Sequence, residues 1–290
     1  MKEIKGVLTA MATPFDADGR VDEGAARRLA AYLLDHGSHG LVVAGSTGEC
    51  PTLTDEEEIE LLRSVRAEVG DETLIVCGTG TNDTRHSCEL TKMAAEAGAD
   101  ASLVVVPYYN KPTEAGIRAH FEAVAAAVPE LPMVMYNIPA RVIVNASPAL
   151  IGEIGQIDNV VAVKQANDDE LGPIDGLTVL AGNDNTFLRV LEFGGGGGIT
   201  VASHIVGDRM REMWEAALAG EIERAREIDA EITPVYEATS VTTNPIPLKA
   251  ALAMLGLCED RLRLPLVSAD EEQRAAIKAG LDAAGVAVSS

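Results

Sequence analysis

The sequence predicts an α/β fold: a (β/α)8 or TIM barrel of parallel strands, followed by a C-terminal helical appendix. Three observations predict it. Eight short apolar runs alternate with amphipathic stretches, the pattern of a parallel sheet wound by helices. Residues of unusual chemistry collect at the C-terminal ends of those runs, which share one face in such a barrel. One run, Val160-Val161-Ala162-Val163, closes on Lys164.

The expected strands are 6–11, 40–44, 73–77, 101–106, 133–137, 160–164, 177–181 and 198–202. Each is short and rich in branched apolar residues, as a strand buried on both faces requires. Helix starts are readable between them. Thr54-Asp55-Glu56-Glu57 is a capping box, in which the Thr54 hydroxyl takes an orphan amide and Glu57 reaches back. Asn82 is the expected cap of the helix that runs to Ala97, and Ser147-Pro148 places a cap before a first-turn proline. The segment 168–176 carries Gly, Pro and acids, so its helix is expected to be short or broken. The glycine run 194–198 precedes a strand rather than opening a helix, which implies close backbone packing and not a phosphate cradle. After Ala202, helices are expected at 204–219, 221–233, 247–257 and 270–284. The first closes the barrel. Residues 1–220 are thus expected to form the catalytic barrel and 221–290 a helical region packed on it.

A chain of 290 residues suits a single barrel of this kind. Its formal charge of −22 argues against nucleic-acid binding, which needs a basic face, and offers nothing to an anionic membrane. No apolar run reaches the ~18–20 residues of a membrane span. The opening MKEIKG has no apolar region of a secretory signal. Cys50, Cys77, Cys88 and Cys258 form no CxxC pair, so reduced thiols and a cytoplasmic location are expected. His36 and His39 stand three apart without a third ligand, and no metal is expected.

Lys164 carries the chemistry. Desolvation favours a neutral lysine amine, and a neutral amine is what Schiff-base formation with a carbonyl substrate needs. The position alone also fits a strand-end lysine that reaches water. The six other lysines lie in helical, loop or terminal contexts. What favours chemistry is the company at the strand ends: Gly45-Ser46-Thr47-Gly48-Glu49, Pro107-Tyr108-Tyr109-Asn110, Tyr136-Asn137-Ile138-Pro139, Arg141, Gly182-Asn183-Asp184 and Ile199. Tyr136 projects from the strand beside Lys164, where a phenol can pass a proton to a carbinolamine. Ser46 and Thr47 sit between glycines, exposing amides and hydroxyls that suit a carboxylate. Arg141 can hold a second carboxylate in bidentate fashion.

These motifs resemble those of the dihydrodipicolinate synthase (4-hydroxy-tetrahydrodipicolinate synthase) family, within the pyruvate-dependent class I aldolases that include N-acetylneuraminate lyase. The resemblance runs from Thr13-Pro14-Phe15 to Leu262-Arg263-Leu264-Pro265, with GSTGE, PYYNKP, YNIPAR, VKQAN, AGND, GITV and NPIPLK in family order. It implies a lyase of lysine and diaminopimelate biosynthesis that condenses pyruvate with aspartate semialdehyde, without any cofactor beyond the Schiff base on Lys164. Tyr136 is implied as proton donor and acceptor. Ser46 completes its relay, with Tyr109 arriving from a neighbouring subunit. Thr47 would hold the pyruvate carboxylate, Ile199 line its pocket, and Arg141 bind the semialdehyde carboxylate. A homotetramer built as a dimer of dimers is implied.

The chain departs from the family pattern in three places. Ser46 replaces a usual threonine and keeps the hydroxyl. Val142-Ile143 replaces a usual Thr-Gly, which leaves a 2-keto-3-deoxy sugar acid or an N-acetylneuraminate-type compound as the alternative substrate. Gln165-Ala166-Asn167 replaces Glu-Ala-Ser/Thr. Tyr108 and Asn82 match the feedback site at which many relatives bind lysine, but Cys50, Pro51, Asp55, Glu58 and His86 differ from its other contacts. Feedback by lysine is therefore not expected.

Overall fold

The computed structural model describes residues 2–288. Its eight strands, β1 (Gly6–Ala10), β2 (Gly40–Val43), β3 (Leu74–Gly78), β4 (Ala101–Val105), β5 (Met133–Asn137), β6 (Val160–Gln165), β7 (Thr178–Ala181) and β8 (Gly197–Thr200), form a closed barrel in sequence order. All neighbouring pairs are parallel, and β8 returns to β1 through Leu8 opposite Ile199. All eight expected strands are present, with ends shifted by at most two residues. Nearly every strand residue is buried, because helices cover the outside while side chains fill the inside.

Seven helices wind the barrel: α1 (Glu23–Asp35), α2 (Asp55–Val69), α3 (Thr84–Glu96), α4 (Glu114–Ala127), the single turn α5 (Pro139–Val142), α6 (Pro148–Ile154) and α7 (Phe187–Glu192). The Thr54 capping box forms as expected, and so does the Ser147 cap. The cap of α3 is Asp83, not Asn82: its carboxylate accepts from the amides of Arg85 and His86, and a charged oxygen outbids a neutral amide at a helix N-terminus. Between β6 and β7 only a 3-10 turn forms, at Asp168–Glu170. The glycine run packs as its position implied. A Cβ on Gly197 would lie 2.2 Å from the Gly6 carbonyl, and one on Gly196 would lie 2.3 Å from the Thr178 methyl.

α8 (Ser203–Leu218) closes the barrel, and α9 (Ile222–Ala238), α10 (Ile246–Met254) and α11 (Glu271–Ala283) form the appendix. α9 runs beyond the expected end at residue 233 and through Pro234. Its buried stripe of Ala225, Ile228, Ile232, Val235 and Tyr236 continues past the proline, so packing against α8 and α11 offsets the lost hydrogen bond. Among the described residues, no helix is long and apolar enough to cross a membrane.

Candidate active site

The C-terminal ends of the strands open into a cavity of about 1010 Å³. Lys164 and Tyr136 meet at its floor because β5 and β6 pair in register there, Tyr136 opposite Lys164. The Lys164 ammonium nitrogen lies 4.3 Å from the centre of the Tyr136 ring. Both residues are buried, at 6% exposure each, yet both line the open cavity. Burial is the largest influence on Lys164 and pulls its pKa from 10.5 down to about 8; Asp184 opposes the shift and Arg141 adds to it. Burial also drives the Tyr136 phenol above its usual value, so the group arrives protonated.

The loop after β2 forms the cavity wall beside them. Gly48 N–H donates to the Gly45 carbonyl at 3.0 Å and Glu49 N–H to the Ser46 carbonyl at 3.1 Å, closing a tight double turn. Ser46 and Thr47 line the cavity from this loop. The Thr47 hydroxyl oxygen accepts from the Asn244 side-chain amide at 2.9 Å. Arg141, at the rim on α5, donates to the Asn244 carbonyl at 3.0 Å. Ile199, fully buried on β8, lines the floor. Six of the seven expected site residues therefore share one cavity: Lys164, Tyr136, Ser46, Thr47, Arg141 and Ile199.

Tyr109 stands apart. It is 83% exposed and does not line the cavity of its own chain. Its φ of 70° and the hydrogen bond from Asn110 N–H to the Tyr108 carbonyl, 2.8 Å, define a γ-turn with a left-handed centre. Non-glycine residues hold such a conformation only where their surroundings impose it, and such residues gather at functional sites.

Sequence reasoning gave no individual role to three participants. Asp184, which lines the cavity, accepts from the amides of Val201 at 2.8 Å and Ala202 at 3.0 Å, and its carboxylate opposes the lowering of the Lys164 pKa. Asn244 joins Thr47 to Arg141 from the appendix. Lys249, expected in an ordinary helical context, is fully buried. The AGND motif was a visible signal for Asp184, and NPIPLK, which begins at Asn244 and ends at Lys249, was one for the other two, though no role followed from either. Among the described residues, no three metal-ligating side chains gather, and His36 pairs instead with Asp208 at 3.0 Å.

The cavity extends sideways past the β2 loop to Cys50, Asp55, Glu58, Asn82, His86 and Tyr108. His86 holds Asp55 at 2.9 Å. Glu58 is buried with one carboxyl oxygen unpartnered, and burial, helped by Asp55, raises its pKa to about 9.

A buried lysine on a barrel strand, set against a phenol and a loop that turns two hydroxyl side chains to the same cavity, defines a Schiff-base aldolase type of site. Residues 3–284 match the model of the dihydrodipicolinate synthetase family, and the chain belongs to that family. It is 46% identical to the 4-hydroxy-tetrahydrodipicolinate synthase of Moorella thermoacetica, over 97% of this chain and 98% of that one. A crystal structure of the synthase from Cyanidioschyzon merolae with lysine bound superposes with a TM-score of 0.92 at 39% identity, covering 97% of this chain and 98% of the other. The chloride-inhibited synthase from Acinetobacter baumannii, complexed with pyruvate, gives 0.94 at 34% identity, covering 98% and 100%.

Proposed function

We propose that this chain is a 4-hydroxy-tetrahydrodipicolinate synthase, a lyase that condenses pyruvate with aspartate semialdehyde through an imine on Lys164. The observation that carries the reading is a lysine held at the cavity floor with its pKa lowered to about 8 and the Tyr136 ring 4.3 Å away. The neutral amine adds to the keto carbon of pyruvate. Tyr136 protonates the carbinolamine oxygen, which leaves as water. Loss of a methyl proton gives the enamine, whose carbon adds to the semialdehyde carbonyl. The amino group of the condensed product then displaces Lys164, which closes the ring and frees the enzyme.

The two carboxylates have separate anchors in this reading. Thr47 and the loop amides hold that of pyruvate beside Ile199, and Arg141 holds that of the semialdehyde at the rim. Ser46 relays protons to Tyr136, and Tyr109 completes the relay from a second subunit. The exposure of Tyr109 and its imposed γ-turn support that arrangement, and with it a homo-oligomer assembled as a tetramer. Four free thiols fit a cytoplasmic enzyme. No cofactor takes part beyond the covalent imine.

The test is turnover with pyruvate plus aspartate semialdehyde, set against 2-keto-3-deoxy sugar acids, together with borohydride trapping of pyruvate. Turnover confined to the first pair and one reduced pyruvyl group per chain on Lys164 are expected. A label on Lys111 or Lys249 would sink the assignment of Lys164. Preferred cleavage of a sugar acid would replace the substrate.

A further inference from the structure

Lys249 and Glu49 form an ion pair sealed from solvent, with side chains 0% and 1% exposed. The Lys249 ammonium lies 2.5 Å from Glu49 Oε1, donates to the Arg261 carbonyl at 2.6 Å, and sits 4.1 Å above the centre of the Phe15 ring. The second Glu49 oxygen accepts from the Arg263 amide at 3.0 Å. A pair so deep is a poor source of stability, because removing both charges from water offsets most of their attraction. Its location is therefore informative. Glu49 is the last residue of the turn that carries Ser46 and Thr47. That turn is bracketed by two non-glycine residues in the left-handed region, Ala44 at φ 53° and Glu49 at φ 58°. Both would relax toward ordinary backbone without an external hold. The hold comes from the appendix, through Lys249 on α10 and the irregular segment at Arg261–Arg263. The same segment is fastened a second time, where Arg263 grips both oxygens of Glu57 at 2.6 Å and the Thr52 carbonyl at 2.7 Å.

We propose that Lys249 and Glu49 are positioning residues that hold the Ser46–Thr47 turn in its carboxylate-binding shape, so that the C-terminal region completes the active site. The proposal rests on the reading of this turn as the pyruvate carboxylate anchor. Neither residue touches substrate. Their effect passes through the direction of the hydroxyls and amides of the turn, and it falls on pyruvate binding rather than on the amine chemistry at Lys164.

The experiment compares Lys249→Met and the double variant Glu49→Gln/Lys249→Met with the unmodified protein. The double variant removes both charges together, which protects folding where the single variant strands a buried carboxylate. Both variants are first checked for a cooperative thermal transition above the assay temperature. KM for pyruvate should rise tenfold or more in the double variant, while KM for aspartate semialdehyde changes less than threefold. At saturating pyruvate, borohydride should still label Lys164. A double variant with unchanged KM for pyruvate, or with both KM values raised in equal proportion, overturns the proposal. In the unmodified protein, pyruvate should slow amide hydrogen exchange in residues 46–49 and 261–263 together; protection of 46–49 alone also overturns it. The two readings fail separately: an unmodified protein that takes no label on Lys164 sinks the Schiff-base reading, whereas the positioning role is decided by the KM split and the exchange pattern.

Discussion

Lys164 shows how one residue type acquires a new property from its position. An ordinary lysine is almost wholly protonated at neutral pH, but burial lowers this one from 10.5 to about 8. The neutral fraction near pH 8 rises by roughly two orders of magnitude as a result. Because only the neutral form attacks, the rate of pyruvate trapping should climb about tenfold per pH unit below that value and level off above it. A profile still climbing steeply at pH 10 would mean that Lys164 is solvated. Tyr136→Phe keeps the ring against the ammonium but removes the proton, and kcat should fall by roughly 10²–10⁴-fold. An unchanged kcat takes Tyr136 out of the mechanism. Arg141→Ala should raise KM for the semialdehyde much more than for pyruvate, by about 1.5–3 kcal/mol in binding for a lost charged hydrogen bond. Equal shifts in the two KM values would reduce Arg141 to its contact with the Asn244 carbonyl.

At the scale of elements, short connections do the aiming. α5 is a single turn between Pro139 and Val142, and it carries Arg141 to the rim. It ends at Ile143, which has φ 73° and ψ −27° and is 65% exposed. The usual glycine of the family at this place suits a left-handed cap; a branched isoleucine does not. Ile143→Gly should therefore stabilise the isolated chain by about 1 kcal/mol, the strain relieved less the extra freedom of glycine when unfolded. Urea unfolding measures it. A loss of stability would mean that a second subunit covers Ile143. Another departure, Gln165, has a local account: its side-chain Oε1 accepts from the Asn137 side chain at 3.0 Å and from the Asn167 backbone amide at 3.1 Å, tying the ends of β5 and β6 around the pair they present.

Across the whole molecule, one cavity joins the lysine floor to a side chamber between the β2 loop and α3. Asn82 and Tyr108 line this chamber, and a lysine bound there would have to be met by them and by the groups around them. The remaining groups are wrong for a dibasic amino acid. Asp55 is already engaged by His86, Glu58 is kept protonated by burial, and Pro51 has no amide hydrogen to give. Lysine at millimolar concentration should leave the initial rate at subsaturating pyruvate unchanged, because the donors that remain are weak. Partial inhibition with two calorimetric sites per dimer would reverse this reading of the chamber.

The fold was legible because its signals are local. Branched apolar runs of four to six residues, separated by capped amphipathic stretches, admit few arrangements other than a closed parallel barrel, and in a barrel the strand ends share a face. Lys164, Tyr136, Ser46, Thr47, Arg141 and Ile199 could thus be brought together from sequence position alone. Asp83 displaced Asn82 as a cap because neighbouring candidates differ only in how their side chains settle. Asn244 and Lys249 bound the NPIPLK motif, but the sequence did not show what they touch. Their partners, Thr47 and Glu49, lie 197 and 200 residues away, and a lysine in the helix IPLKAALAM has the same local pattern whether it faces water or a buried carboxylate. Periodicity reports which way a side chain points relative to its own element. Which charge waits on the other side is decided only when the appendix packs onto the barrel.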